Sequence, residues 1–152
     1  MRLRLLCFLL AFSTLSFAAD PAADKTALMK LHAADRDGHL KGDADLLVSP
    51  LAATVTEISN GRVTTMKRDE AKAKFAGYLK TVKYTAWDDA ADPVIKISSD
   101  GKMAWMFVQI KVEVAPAENL VDKRNFYNSA IQTFEKDAEG WHMTAIAATM
   151  GR

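Results

Sequence analysis

The chain has 152 residues, with 20 Lys plus Arg against 19 Asp plus Glu and a formal net charge of +1. A chain so balanced has no basic field to hold phosphate backbones, so no nucleic-acid partner is expected. Its one cysteine, Cys7, leaves no internal disulfide to staple the fold, and stability must come from packing.

Residues 1–18, "MRLRLLCFLLAFSTLSFA", read as a secretory signal. Arg2 and Arg4 give a positive start, Leu5 to Phe12 form a short apolar run, and Ser16 and Ala18 are the small residues before a cut after Ala18. The apolar run is too short to span a bilayer. The expectation is a periplasmic or secreted protein with no membrane segment once the leader is gone. Taking 18 residues from 152 leaves 134, residues 19–152, the size of one domain with one core. With the two leader arginines gone, 18 basic residues face 19 acidic ones.

"ADPAADKTALMKLHAADRDGHLKGD" predicts the first helix, capped by Asp20, opened by Pro21 and closed by Gly42. "DADLLVSPL" predicts a short second helix ending near Pro50. Ala53 to Ser59 alternates as a strand, and "SNG" turns it. Lys67 to Val82 is the clearest helix. Its apolar stripe is Ala71, Phe75, Tyr78, Leu79 and Val82, with Asp69 and Glu70 early and lysines 72, 74 and 80 on a solvated face.

From Lys83 the pattern is strand after strand. "KYTAWDD", "PVIKISS" and "KMAWMFVQIKVEV" follow one another, the last two across an Asp100-Gly101 hairpin turn. In the long strand Ala104, Met106, Val108, Ile110, Val112 and Val114 share one face. After the loop "APAENLVDK", "RNFYNSAIQTFEK" and "WHMTAIAAT" pair through "DAEG". Helices first and four consecutive antiparallel strands after them predict an α+β fold, with two or three N-terminal helices packed in a strongly curved, mostly antiparallel sheet. Such a curl leaves an apolar pocket at its open end.

Two groups of residues could carry chemistry. Glu57 shares a strand face with Ala53 and Val55, as a catalytic carboxylate, a ligand contact or a wet residue beside the turn. On the first helix Leu28, His32, Asp35 and His39 fall within about a 60° arc at ~100° per residue. A core-facing row that turns polar needs partners, because unpaired buried polar groups cost roughly 1–3 kcal/mol each. Three readings are open for it: mutual and backbone hydrogen bonds, a polar cavity wall that anchors a ligand or moves a proton, or a metal site. The two histidines stand two turns apart, ~10 Å, too far to share one ion unaided, so no metal and no cofactor is expected. Trp87, beside Asp88 and Asp89, is a candidate for the cavity rim. Trp105, Phe107, Gln109, Lys111 and Glu113, on the second face of the long strand, are a candidate interface between copies.

The segments "GDADLL…ATVTEISNGR" and "DGKMAW", with a last strand opened by Gly140-Trp141 in "IQTFEKDAEGWHMTAIAA", resemble the nuclear-transport-factor-2-like superfamily, in particular its SnoaL-like group of small bacterial domains. The resemblance spans residues 19–152. It implies a cone-shaped, cystatin-like barrel with a cavity, and a homodimer through the sheet. The functions it implies range from steroid isomerases, polyketide cyclases, dehydratases and epoxide hydrolases to non-catalytic binding or association domains. By the same resemblance Glu57 matches the catalytic aspartate of the steroid isomerases, a general base whose pKa an apolar neighbour such as Val55 would raise. The isomerases' other half, a tyrosine from the first helix and a protonated acid, has no match here. No tyrosine precedes Tyr78, and the strand near residues 125–135 offers Asn125, Asn128 and Gln132. The reading is a domain binding a small apolar ligand, anchored by His32, Asp35, His39, Glu57 and Trp87. The alternatives are an isomerase- or dehydratase-type enzyme with Glu57 or a pocket histidine as acid/base, and a dimeric association domain.

Overall fold

The computed structural model describes residues 20–151. The expected leader, residues 1–18 with Cys7, lies outside them. Asp20 caps helix α1 (Pro21–Lys41) by accepting from the Ala22 and Ala23 N–H groups, and Gly42 ends it in the left-handed conformation at φ 66°. Asp43 caps α2 (Ala44–Val48) in the same way. The two helices pack tightly because residue 38 has no side chain: a Cβ on Gly38 would stand 2.7 Å from Leu47 Cδ2 and 2.9 Å from its backbone nitrogen.

Strand β1 (Leu51–Ser59) turns through Asn60 and Gly61, both at positive φ, into β2 (Arg62–Lys67). Helix α3 (Arg68–Leu79) follows, its start fixed by Glu70 accepting from the Lys67 N–H. Then come β3 (Val82–Ile97), β4 (Met103–Pro116), β5 (Arg124–Asp137) and β6 (Gly140–Gly151). They form one six-stranded sheet in the order β2-β1-β6-β5-β4-β3. Every pairing is antiparallel except β1 with β6. The fold is α+β, as expected, with β3 to β6 antiparallel in succession.

Three details depart from the sequence reading. Arg62–Lys67 is a strand, paired residue for residue with β1. "KYTAWDD" and "PVIKISS" are one strand, bent by register shifts from Tyr84 to Val94. Pro93, which has no N–H to give a ladder, falls within the last of these shifts. The lone parallel pairing joins β1 to β6 across most of the chain, where no local signal marks it.

The sheet curls. Helix α3 touches β1 and β2 at one edge, and its Tyr78 hydroxyl bonds Tyr84 on β3 at the other. The inner face of β4 alternates as predicted, with Ala104, Met106, Val108, Ile110, Val112 and Val114 all buried, and it packs with Leu28 and Phe134 into the core. Helix α1 is tied down at both ends. At its start Asp24 is covered by Lys136 and Trp141, and its Oδ1 accepts from the Trp141 indole (2.9 Å) and the Lys136 ammonium. Burial pushes the Asp24 pKa up, but these donors outweigh it and hold the carboxyl below its usual range. Further along, Arg36 donates to the Trp87 carbonyl and to Asp88 on β3.

The outer face carries a feature of its own. Strand register aligns Val94, Phe107, Ile131, Ala147, Ile58 and Val63 in one row across all six strands. Four of them, Val94, Phe107, Ile58 and Val63, are exposed.

Candidate functional site

Between the helices and the inner face of the sheet lies a cavity of about 360 Å³. Most of its wall is apolar, built from residues such as Leu51, Val55, Phe75, Ile110 and Met143. Four of the five residues singled out from the sequence line it: Asp35, His39, Glu57 and Trp87. The fifth, His32, does not. It is buried behind the wall, where Nε2 donates to Asp89 Oδ1 at 2.8 Å and Nδ1 has no partner. Asp35 and His39 of the predicted row therefore face the cavity, His32 ties α1 to β3, and Leu28 lies in the core.

The deep wall is an assembly of α1 and β3. His39 stacks on Trp87 with ring centroids 3.6 Å apart and planes 8° from parallel, and Tyr84 meets both rings edge-on. His39 Nδ1 lies 2.9 Å from the Asp35 main-chain carbonyl. A carbonyl can only accept, so Nδ1 carries a proton, and in the neutral form of the ring the lone pair lies on Nε2. The Asp35 carboxyl is 3.6 Å from the same Nδ1. Its side chain is only 19% exposed and lines the cavity. Burial pushes its pKa above the ordinary 3.8, against the opposing pull of His39 and His32. The Trp87 N–H lies near enough to favour the Asp35 anion but closes no hydrogen bond, and it is left without an acceptor. Tyr84 shares a hydroxyl–hydroxyl bond of 2.9 Å with Tyr78, and burial raises its pKa further.

The rim is different. Glu57 accepts from Lys74 at 2.7 Å and from Ser59 at 2.9 Å. The Lys74 ammonium holds its carboxyl below the ordinary 4.5, outweighing partial burial. The expected rise in its pKa is not found: the apolar neighbour is there in Val55, but a cation reaches the carboxylate first. Glu57 also borders an open groove on the far side of the rim, sharing it with Val108, Asn128, Ala130 and Ala148.

Lys74, expected on a solvated face, lines the cavity. The signal was present in its spacing from Ala71 and Tyr78, which puts it on the flank of the apolar stripe. Of the three amides on β5, Asn128 and Gln132 line the cavity and Asn125 is exposed. The Asn128 Oδ1 is buried with no partner. Among the described residues no group of three His, Cys, Asp or Glu converges as metal ligands. None of their helices is long and apolar enough to cross a membrane.

No family model and no curated protein matches the chain by sequence. Solved structures do match it by shape. A nuclear-transport-factor-2-like dehydratase candidate from Streptomyces avermitilis is 17% identical, with a TM-score of 0.62 over 85% of this chain and 96% of that one. A ketosteroid isomerase-like protein from Erwinia carotovora atroseptica is 11% identical, with a TM-score of 0.62 over 82% and 94%. The chain has the nuclear-transport-factor-2-like fold. The same shape also covers a candidate calcium/calmodulin-dependent kinase II association domain from Exiguobacterium sibiricum, 11% identical, with a TM-score of 0.68 over 89% and 98%. A fold shared by differently named proteins fixes the frame and the cavity, and leaves the chemistry to the residues.

Proposed function

We propose that this is an exported domain whose cavity binds a small, largely apolar molecule. The observation that carries the reading is the enclosure itself. A space of about 360 Å³ is apolar over most of its wall, with polar groups from α1, β3 and β5 turned into it. It falls within the roughly 300–1,000 Å³ of ordinary ligand sites. A domain that only associates would be expected to fill this space with its own side chains. Export is supported by the leader pattern of residues 1–18. The test is native mass spectrometry of protein purified from its own compartment. The expected result is a chain beginning at Ala19 that carries a small molecule, lost on denaturation. A chain empty from every preparation would count against the ligand.

A homodimer through the outer face of the sheet belongs to the same proposal, supported by the apolar row that crosses all six strands. Phe107→Lys is expected to convert a dimer to a monomer in sedimentation analysis. A wild-type protein that is monomeric at all concentrations would end this part of the reading.

One observation favours an acid/base enzyme as the second reading: His39 is held in the tautomer that leaves Nε2 free to take a proton. In that case His39→Gln would abolish turnover of a substrate. Glu57→Gln would reduce it less, because Glu57 is neutralised by Lys74.

A further inference from the structure

We propose that the cavity selects a ligand without negative charge, with an acceptor oxygen at the Trp87 end of an apolar body and a hydroxyl at the Asn128 end. The inference rests on the reading of the cavity as a ligand site and names the class of ligand. Trp87 is 6% exposed, its ring walls the cavity, and its N–H lies beside the Asp35 carboxyl without closing a hydrogen bond to it. Buried indole N–H groups are ordinarily paired, so an oxygen brought by a ligand would complete the site. Asn128 lines the same cavity near the rim, and its Oδ1 is buried and equally unmatched. A carboxamide can present its oxygen or its N–H by rotating, and a hydroxyl satisfies either.

The register sets the span. Trp87 lies opposite Val112, which lies opposite Phe126, two residues before Asn128 on β5. Two strand spacings and one two-residue step put the two Cα atoms about 12 Å apart. Side chains on the inside of a curled sheet converge, so the polar atoms are closer than that. The gap suits one substituted ring.

Negative charge is selected against by pairing. Glu57 and Lys74 neutralise each other at 2.7 Å. Asp35 sits enclosed, where burial favours its neutral acid. An anionic ligand would therefore bring its charge beside the Asp35 carboxyl with no free cation to meet it in an apolar enclosure, which is costly.

The test compares four probes of similar size by calorimetry: para-hydroxyacetophenone, acetophenone, para-ethylphenol and para-acetylbenzoate. The first is expected to bind best and to move the Trp87 indole N–H resonance in proton–nitrogen NMR. Loss of the hydroxyl or of the carbonyl is expected to weaken binding roughly tenfold, the effect of one hydrogen bond. The carboxylate is expected not to bind. Trp87→Phe keeps a ring against His39 and deletes the N–H, so it should erase the hydroxyketone's roughly tenfold advantage over para-ethylphenol, with both measured on the variant. If that variant does not fold, the wild-type series decides by itself. Equal binding of the three neutral probes, or a still indole resonance, overturns this inference and leaves the ligand site standing. Binding of none of the four overturns the site as well.

Discussion

Two carboxylates line one cavity and behave in opposite ways. At the deep wall Asp35 is raised above its ordinary pKa; at the rim Glu57 is lowered below its own. Burial acts on both in the same direction, toward the neutral acid. The difference is what stands beside them. Glu57 has a flexible ammonium at 2.7 Å and a hydroxyl at 2.9 Å. Asp35 has an imidazole at 3.6 Å, itself engaged with a backbone carbonyl. A committed cation outweighs partial desolvation, and a shared imidazole does not. A carboxylate on an apolar strand face is therefore no guide to a poised base until the helix above it is known.

The contrast can be broken at its stiffest point first. Trp87→Ala removes the ring that His39 stacks on and opens the deep wall. It is expected to cost about 3–5 kcal/mol in urea denaturation, the usual toll for a buried tryptophan. A loss below about 1 kcal/mol would mean the wall is held from elsewhere.

Next is Asp35→Asn, read against pH. With its folded pKa above the unfolded one, Asp35 lets the folded state hold the proton longer, so stability falls as pH rises from about 3.8 through the raised value. The asparagine variant lacks this fall. It should melt above wild type at neutral pH and converge with it below 3.8. A variant less stable than wild type at neutral pH would show that the imidazoles hold the anion after all.

Glu57→Gln should have the smallest effect and the opposite sign. A lowered pKa contributes stability above 4.5 that is lost as pH falls through the folded value. Lys74 is about half exposed, so the pair is worth at most about 1 kcal/mol after solvent screening. Wild type and variant should differ slightly at neutral pH and meet in acid.

What could be read beforehand was local. The caps Asp20 and Gly42, the Asp100-Gly101 turn and the alternation along β4 are each set by residues a few positions apart, and each is found in place. The row Leu28, His32, Asp35, His39 does turn inward, because helical spacing alone decides it. Partners distant in sequence could not be read. Asp89, not Asp35, accepts the hydrogen bond from His32 because β3 passes over α1 there. Lys74 reaches Glu57 only once α3 lies over β1. The amides Asn128 and Gln132 carry no local signal of a site, and their sharing a cavity with Trp87 depends on the curl of the sheet.

Gly38 belongs to neither wall, yet it governs the room between them. Leu47, which lines the cavity, rests within 3 Å of where a methyl group on residue 38 would be. A single carbon added there would drive α2 toward the sheet and shrink the chamber from outside. The capacity of this vessel is set by a hydrogen atom on the back of its lid.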